Sequence, residues 1–160
     1  MLACPRFSPM KAKDARVVRL EVASRIDMLE TVQTVLAQIS TIAGFDEDAI
    51  HYMSVAVRES VVNAIKHGNR LDESKRVALE FTLLPSALEV QVRDDGRGFD
   101  PGAVPNPVAP ENLLKADGRG IFFMRSFMDE VSYSFPRGGG TLVRLLKRLP
   151  SEAKTEAARR

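Results

Sequence analysis

The sequence predicts an α+β fold, a two-layer α/β sandwich in which a mixed, mostly antiparallel sheet is covered on one face by three helices. Three observations lead there. Three short stretches alternate apolar and polar residues with the period of a half-buried strand, and two more near the C-terminus read as strands around a glycine turn. Three longer stretches carry the marks of helices, two of them with apolar residues at steps of three or four. The strands after the first come in neighbouring pairs joined by short turns, as in an antiparallel sheet built from hairpins.

The elements follow in chain order. "RVVRLEVAS" alternates Val18, Leu20 and Val22 on one face and makes the first strand. In "SRIDMLETVQTVLAQISTIAGF", Ile26, Leu29, Val32, Leu36 and Ile39 form a helical stripe, with Ser24 the expected N-cap and Gly44 the stop. A second helix is expected from near Asp46 to Gly68, with Ile50, Met53, Val57, Val61 and Ile65 turned inward. "RVALEFTLLP" alternates Val77, Leu79, Phe81 and Leu83, and "ALEVQVRD" alternates Leu88, Val90 and Val92, with "PSA" turning one strand into the other. Residues 95–118 hold four prolines and several glycines, the signature of a long loop. "GRGIFFMRSFMDE" reads as a glycine-opened helix, and "VSYSF" and "TLVRLLKRL" as two last strands around "PRGGG". Residues 1–16 and 150–160 lack apolar periodicity and are expected to be disordered tails, which leaves residues 17–149 as one domain.

Composition narrows the function. A chain of 160 residues, 44% hydrophobic and 28% charged, builds a single core without staples. The net charge of +2 gives no electrostatic reason to expect nucleic acid or a membrane surface as partner. One cysteine, Cys4, makes no internal disulfide, and no Cys/His group has zinc-ligand spacing. No run approaches the roughly 18 apolar residues of a membrane span, so a cytoplasmic protein is expected.

The stretch "VQVRDDGRGFDPG" places two acids side by side. Strand parity separates them: if Leu88, Val90 and Val92 face the helices, Asp94 continues on that face and Asp95 points away. A carboxylate on the buried side costs several kcal/mol unless it is hydrogen-bonded, paired or open to a wet site. Gly96 and Gly98 follow it and would let a bound molecule approach the backbone. Taken alone, the stretch is better described as a sheet-end turn with solvated acids. In "RESVVNAIKHGN", Glu59, Asn63 and His67 are spaced i, i+4, i+8 along one polar stripe. A carboxylate and an amide oxygen one turn apart suit a hard cation, or divide metal binding and proton handling between them. His67 with Gly68 is as well explained as a helix C-terminus. Gly118 and Gly120 open a helix whose free N–H groups suit phosphate, and Thr141 shares the inner parity of Val143 and Leu145.

These three stretches in this order resemble the GHKL ATPases, the family of gyrase, histidine kinases and MutL: "ESVVNAIKHGN" is similar to the N-box, "DDGRG" to the first glycine box and "GRGIFFM" to the second. Within that family, "NAIKHG", "PENLL" and "GRGIFFMRSFMDEV" are most similar to the free-standing anti-sigma-factor serine/threonine kinases. The resemblance spans roughly residues 17 to 148 and implies the Bergerat-type ATP-binding fold. It also implies that Asp94 accepts a hydrogen bond from the adenine amine, with Gly96 and Gly98 beside the base and Thr141 supporting the acid. It implies that Asn63 coordinates Mg²⁺ on the phosphates of ATP, that Glu59 is the catalytic base, and that Gly118, Arg119 and Gly120 cradle phosphate beneath a lid running from about Asp100 to Asp117. Lys115 and Arg119 are either partners for phosphate charge or solvated lid charges.

The function implied is a kinase that phosphorylates a serine on a small antagonist protein and controls a sigma factor by partner switching, as a homodimer. Two other readings use the same residues: a binding module gated by ATP without transfer, and the catalytic fragment of a histidine kinase. Against the second, the chain has no phosphoacceptor histidine in a helical hairpin, and His51 falls inside the core domain.

Overall fold

Alternation of apolar residues gives each strand an inner and an outer face, and pairing register keeps the inner residues in line. The computed structural model describes residues 16–97 and 119–151. Five strands form one sheet in the order β1-β2-β3-β5-β4: β1 (Arg16–Ala23), β2 (Arg76–Leu84), β3 (Ala87–Asp94), β4 (Glu130–Ser134) and β5 (Leu142–Arg148). All four pairings are antiparallel, so the described sheet has none of the parallel component that a mixed sheet would include. Leu79 lies opposite Val92, Phe81 opposite Val90, and Val90 opposite Leu145, which lines up one apolar face across the centre of the sheet.

Three helices cover that face: α1 (Leu29–Ala43), α2 (Glu47–Asn63) and α3 (Arg119–Phe127). Leu29, Val32, Leu36 and Ile39 of α1 are buried, as are Met53, Val57 and Val61 of α2 and Met124 of α3; Ile50, expected among them, is only half-buried. With Phe81, Leu88, Val90 and Leu145 from the sheet they make one core cluster. Asp46 caps α2, its side chain accepting a hydrogen bond from the Ala49 N–H at 2.8 Å, and Glu47 and Asp48 in the first turn complement the helix dipole. Gly44 ends α1 in the left-handed conformation, φ 95°, as a C-terminal glycine does.

Two expectations about helix ends change. Ser24 does not cap α1: a short 3-10 turn, Ile26–Met28, intervenes, Ile26 is exposed, and Ser24 is buried elsewhere, accepting a hydrogen bond from Asn69. The second helix does reach Gly68, but its end, Ala64–Gly68, is a π turn. That turn closes with the Asn69 N–H donating to the Ala64 carbonyl at 2.7 Å.

The outer face of the sheet carries no helix among the described residues, yet its central side chains are buried. Glu80, Thr82, Glu89 and Gln91 are each at most 5% exposed. Long charged neighbours screen them: Arg19 donates to Glu80 at 2.7 Å, and Arg144 to Glu89 at 2.6 Å and Glu130 at 3.1 Å. The expected tails lie almost wholly outside the described residues, β1 opening at Arg16.

Candidate functional site

The site gathers where β3 ends. Parity holds to the last residue of the strand: Asp94 is buried at 4% exposure on the helix side, and Asp95 is exposed. The main chain holds the buried carboxylate. Its Oδ1 accepts from the Gly96 N–H at 2.9 Å and the Thr141 N–H at 3.2 Å, while the Asp94 N–H donates to the Thr141 carbonyl at 3.1 Å. Among the described residues, none donates to Oδ2. Burial pushes the Asp94 carboxyl above the usual carboxylate range, and the two main-chain hydrogen bonds offset only part of that rise. Thr141 thus supports the acid through its backbone, where side-chain parity had pointed to its hydroxyl.

Three glycines form the walls around Asp94, and each is glycine because another backbone or the carboxylate occupies the place of a Cβ. At Gly68 a Cβ would stand 2.3 Å from the Asp94 Cγ, at Gly96 2.3 Å from the Gly68 carbonyl oxygen, and at Gly140 2.2 Å from the Asp94 carbonyl oxygen. Gly140 also has φ +84°, a value that side chains disfavour. Gly68 is therefore not a left-handed cap of the helix, as its place after His67 suggested, but the face against which Asp94 packs.

Asn69 fastens these pieces. It is fully buried, and its Nδ2 donates to the Ser24 Oγ at 2.6 Å and to the Arg76 carbonyl at 2.9 Å. Its Oδ1 accepts from the Asp95 N–H at 2.8 Å, and the Asp95 carboxylate in turn accepts from the Arg76 N–H at 3.3 Å. Sequence reasoning missed Asn69, Gly68 and Gly140. A polar residue after a helix and a glycine in a hairpin turn are ordinary, and only the pairing of β3 beside Thr141 and the π turn bring them to Asp94.

Glu59 and Asn63 are both half-buried, one turn apart near the end of α2. His67 is exposed and lies in the π turn, so the stripe expected through Glu59, Asn63 and His67 stops at Asn63. Arg119 opens α3 and Gly120 follows in its first turn, which puts both at a helix N-terminus. Tyr52 of α2 stacks on Phe127 of α3 with ring centroids 4.8 Å apart, fixing α3 against the helix that carries Glu59. Gly98, Lys115 and Gly118 lie outside the described residues.

The arrangement fits a purine nucleotide. A buried carboxylate with an uncommitted oxygen suits an exocyclic amine, the Cβ-free walls leave room beside the backbone, and a helix N-terminus suits phosphate. For a metal, the described residues contain no cluster of three or more His, Cys, Asp or Glu groups. An amide oxygen and one carboxylate suit Mg²⁺, which keeps several waters and takes phosphate oxygens as ligands. No helix among the described residues is long and apolar enough to cross a membrane.

Comparison with known proteins bears on the fold and the family. Residues 22–147 match the family described as the histidine kinase-like ATPase domain. The serine-protein kinase RsbW of Listeria monocytogenes is 25% identical over 127 residues, 76% of this chain and 81% of its own length. The protein of the same name from Bacillus subtilis is 26% identical over 124 residues, covering 74% of this chain and 78% of its own. A crystal structure of RsbU and RsbW domains from Mycobacterium tuberculosis superimposes with a TM-score of 0.61 at 20% identity, over 84% of this chain and 32% of that one. That likeness shows that the fold is shared.

Proposed function

The chain belongs to the histidine kinase-like ATPase domain family, and from that premise we propose that it is an ATP-dependent serine/threonine protein kinase. On this reading it phosphorylates a small antagonist protein and controls a sigma factor by partner switching. The observation that carries the reading is Asp94: a carboxylate buried at the end of β3, held by two main-chain N–H groups and walled by glycines. Relatives named serine-protein kinase, matched over about four-fifths of their length, support the transfer activity.

Each residue then has a task. Asp94 accepts the adenine amine, and Gly96 and Gly98 keep the backbone close to the base. Thr141 holds the Asp94 carboxylate in line through its N–H. Asn63 offers its amide oxygen to Mg²⁺, and Glu59, one turn earlier, takes the proton of the acceptor hydroxyl. Gly118, Arg119 and Gly120 present N–H groups to phosphate at the start of α3, with Lys115 and Arg119 as countercharges. Magnesium, when bound, neutralises phosphate charge; the chain itself supplies orientation and a proton acceptor, which is most of what phosphoryl transfer asks of a protein. The partners proposed are the antagonist, the sigma factor and a second copy of the chain, in the cytoplasm.

The test is transfer of label from ATP, with Mg²⁺, to candidate antagonist proteins. Label on a serine or threonine of one small partner, lost in Glu59→Gln, is the expected result. Nucleotide-dependent binding of the partner without any label would make the protein an ATP-gated binding module instead. Calorimetry checks the base site separately: Asp94→Asn abolishes adenine-nucleotide binding and Asp95→Asn leaves it nearly intact. Equal losses would break the assignment.

A further inference from the structure

Asn69 has no place in the chemistry above, yet it is the most committed polar side chain near the site. Its three side-chain hydrogen bonds run to three different elements: to Ser24 after β1, to Arg76 at the start of β2, and from the Asp95 N–H after β3. Its own N–H closes the π turn onto Ala64. One side chain therefore ties the end of the helix that bears Glu59 and Asn63 to the turn that bears Asp94.

The bond to the Asp95 N–H matters most. That N–H belongs to the peptide leaving Asp94, so holding it fixes the peptide plane immediately after the buried acid. The next N–H along, from Gly96, is one of the two that grip the Asp94 Oδ1. Gly68, directly before Asn69, lies against the same carboxylate. Shifting Asn69 therefore moves both the wall behind Asp94 and the grip on its first oxygen.

We propose that Asn69 is a positioning residue for base recognition: by holding the Asp95 N–H it sets the direction in which the second oxygen of Asp94 meets the exocyclic amine. The proposal rests on the reading of Asp94 given above. It goes beyond that reading in assigning base selectivity to a residue that does not touch the nucleotide.

The experiment compares ATP with inosine triphosphate, which replaces the amine by a carbonyl and the N1 acceptor by an N–H while keeping the same shape. Affinities for both are measured by titration of the full chain, and the ratio between them reports how well the site reads the amine edge of the base. In Asn69→Ala the ratio falls about tenfold or more, the scale of one misdirected hydrogen bond to a charged group, through weaker ATP binding alone. Ser24→Ala removes one of the clasp's other bonds and leaves the Asp95 bond in place; it keeps the wild-type ratio. Leu36→Ala, a cavity in the core away from the site, keeps it too while lowering the melting temperature. A merely structural clasp would instead make the ratio track the melting temperature across the variants.

Should Asn69→Ala not fold, Asn69→Ser, whose hydroxyl ends short of the Asp95 amide, is measured in its place with the same expectation. A wild-type ratio in the Asn69 variant overturns the proposal, and so does an equal loss in Ser24→Ala. If the wild type itself shows no preference for ATP over inosine triphosphate, the reading of Asp94 fails and this assignment fails with it.

Discussion

Asp94 carries a conflict between stability and recognition. Burial raises its carboxyl above the usual range, so the folded protein holds that proton more tightly than the unfolded chain does. Its contribution to stability is therefore fully present below the ordinary carboxylate value of about 4, and is lost as pH rises through the raised value. On the proposed reading recognition runs the other way, because the ionised acceptor makes the stronger bond to the amine. Affinity for adenine nucleotides should begin to fall on acidification at a pH above the ordinary carboxylate range, and the fall should move to lower pH in Asp95→Asn, because the Asp95 charge helps to raise Asp94. A profile that stays flat until exposed carboxylates titrate would remove Asp94 from the base site. Asp94→Asn keeps an oxygen for the Gly96 and Thr141 N–H groups while discarding the buried charge. It should match or exceed the wild type by about 1 kcal/mol in chemical denaturation even as nucleotide binding is lost. This residue was legible in the sequence because strand parity is strict. Asn69 was not, since its partners Ser24, Arg76 and Asp95 lie on three other segments of the chain.

Among the elements, α2 does most to place the site, and its two ends differ in character. At the N-terminus the Asp46 cap is ordinary helix chemistry. Asp46→Ala should cost about 1 kcal/mol, seen as a lower melting temperature, with nucleotide affinity unchanged. At the C-terminus the π turn sets Gly68 against Asp94. Gly68→Ala should weaken nucleotide binding more than it lowers the melting temperature, because the added methyl group meets the carboxylate itself; a calorimetric comparison of the two losses checks this. Apolar spacing revealed both the existence of α2 and its inner stripe from Met53 to Val61, continued by Ile65 in the π turn. It could not reveal the π turn, because a pattern of steps of three and four assumes the α period throughout. The same assumption extended the polar stripe to His67, which lies exposed. Ser24 misled in a similar way: a serine before an amphipathic stretch has the composition of an N-cap, and only its burial against Asn69 separates the two cases.

At the scale of the whole molecule, the first two helices and the first three strands were readable because each turns one apolar face inward, and the rest from their glycine turns and openings. The closed outer face was less so: alternate polar residues such as Glu80, Glu89 and Gln91 look solvated until the neighbouring strands bring Arg19 and Arg144 over them. Glu89 is 1% exposed beside Arg144. Arg144→Met should leave an uncompensated buried carboxylate and cost about 3 kcal/mol in denaturation, without changing nucleotide affinity. The nucleotide site, by contrast, draws on the whole chain length. Asp94 meets Thr141 across 47 residues, and Asp95 meets Asn69 across 26. The walls run from Gly68 to Gly140, so on the proposed reading nucleotide recognises only a chain whose last strand has docked. A ligand of that kind stabilises the native state alone, by about 2.7 kcal/mol at a hundredfold excess over its dissociation constant. On the proposed reading, the supply of nucleotide then governs how long a finished molecule survives local opening and proteolysis.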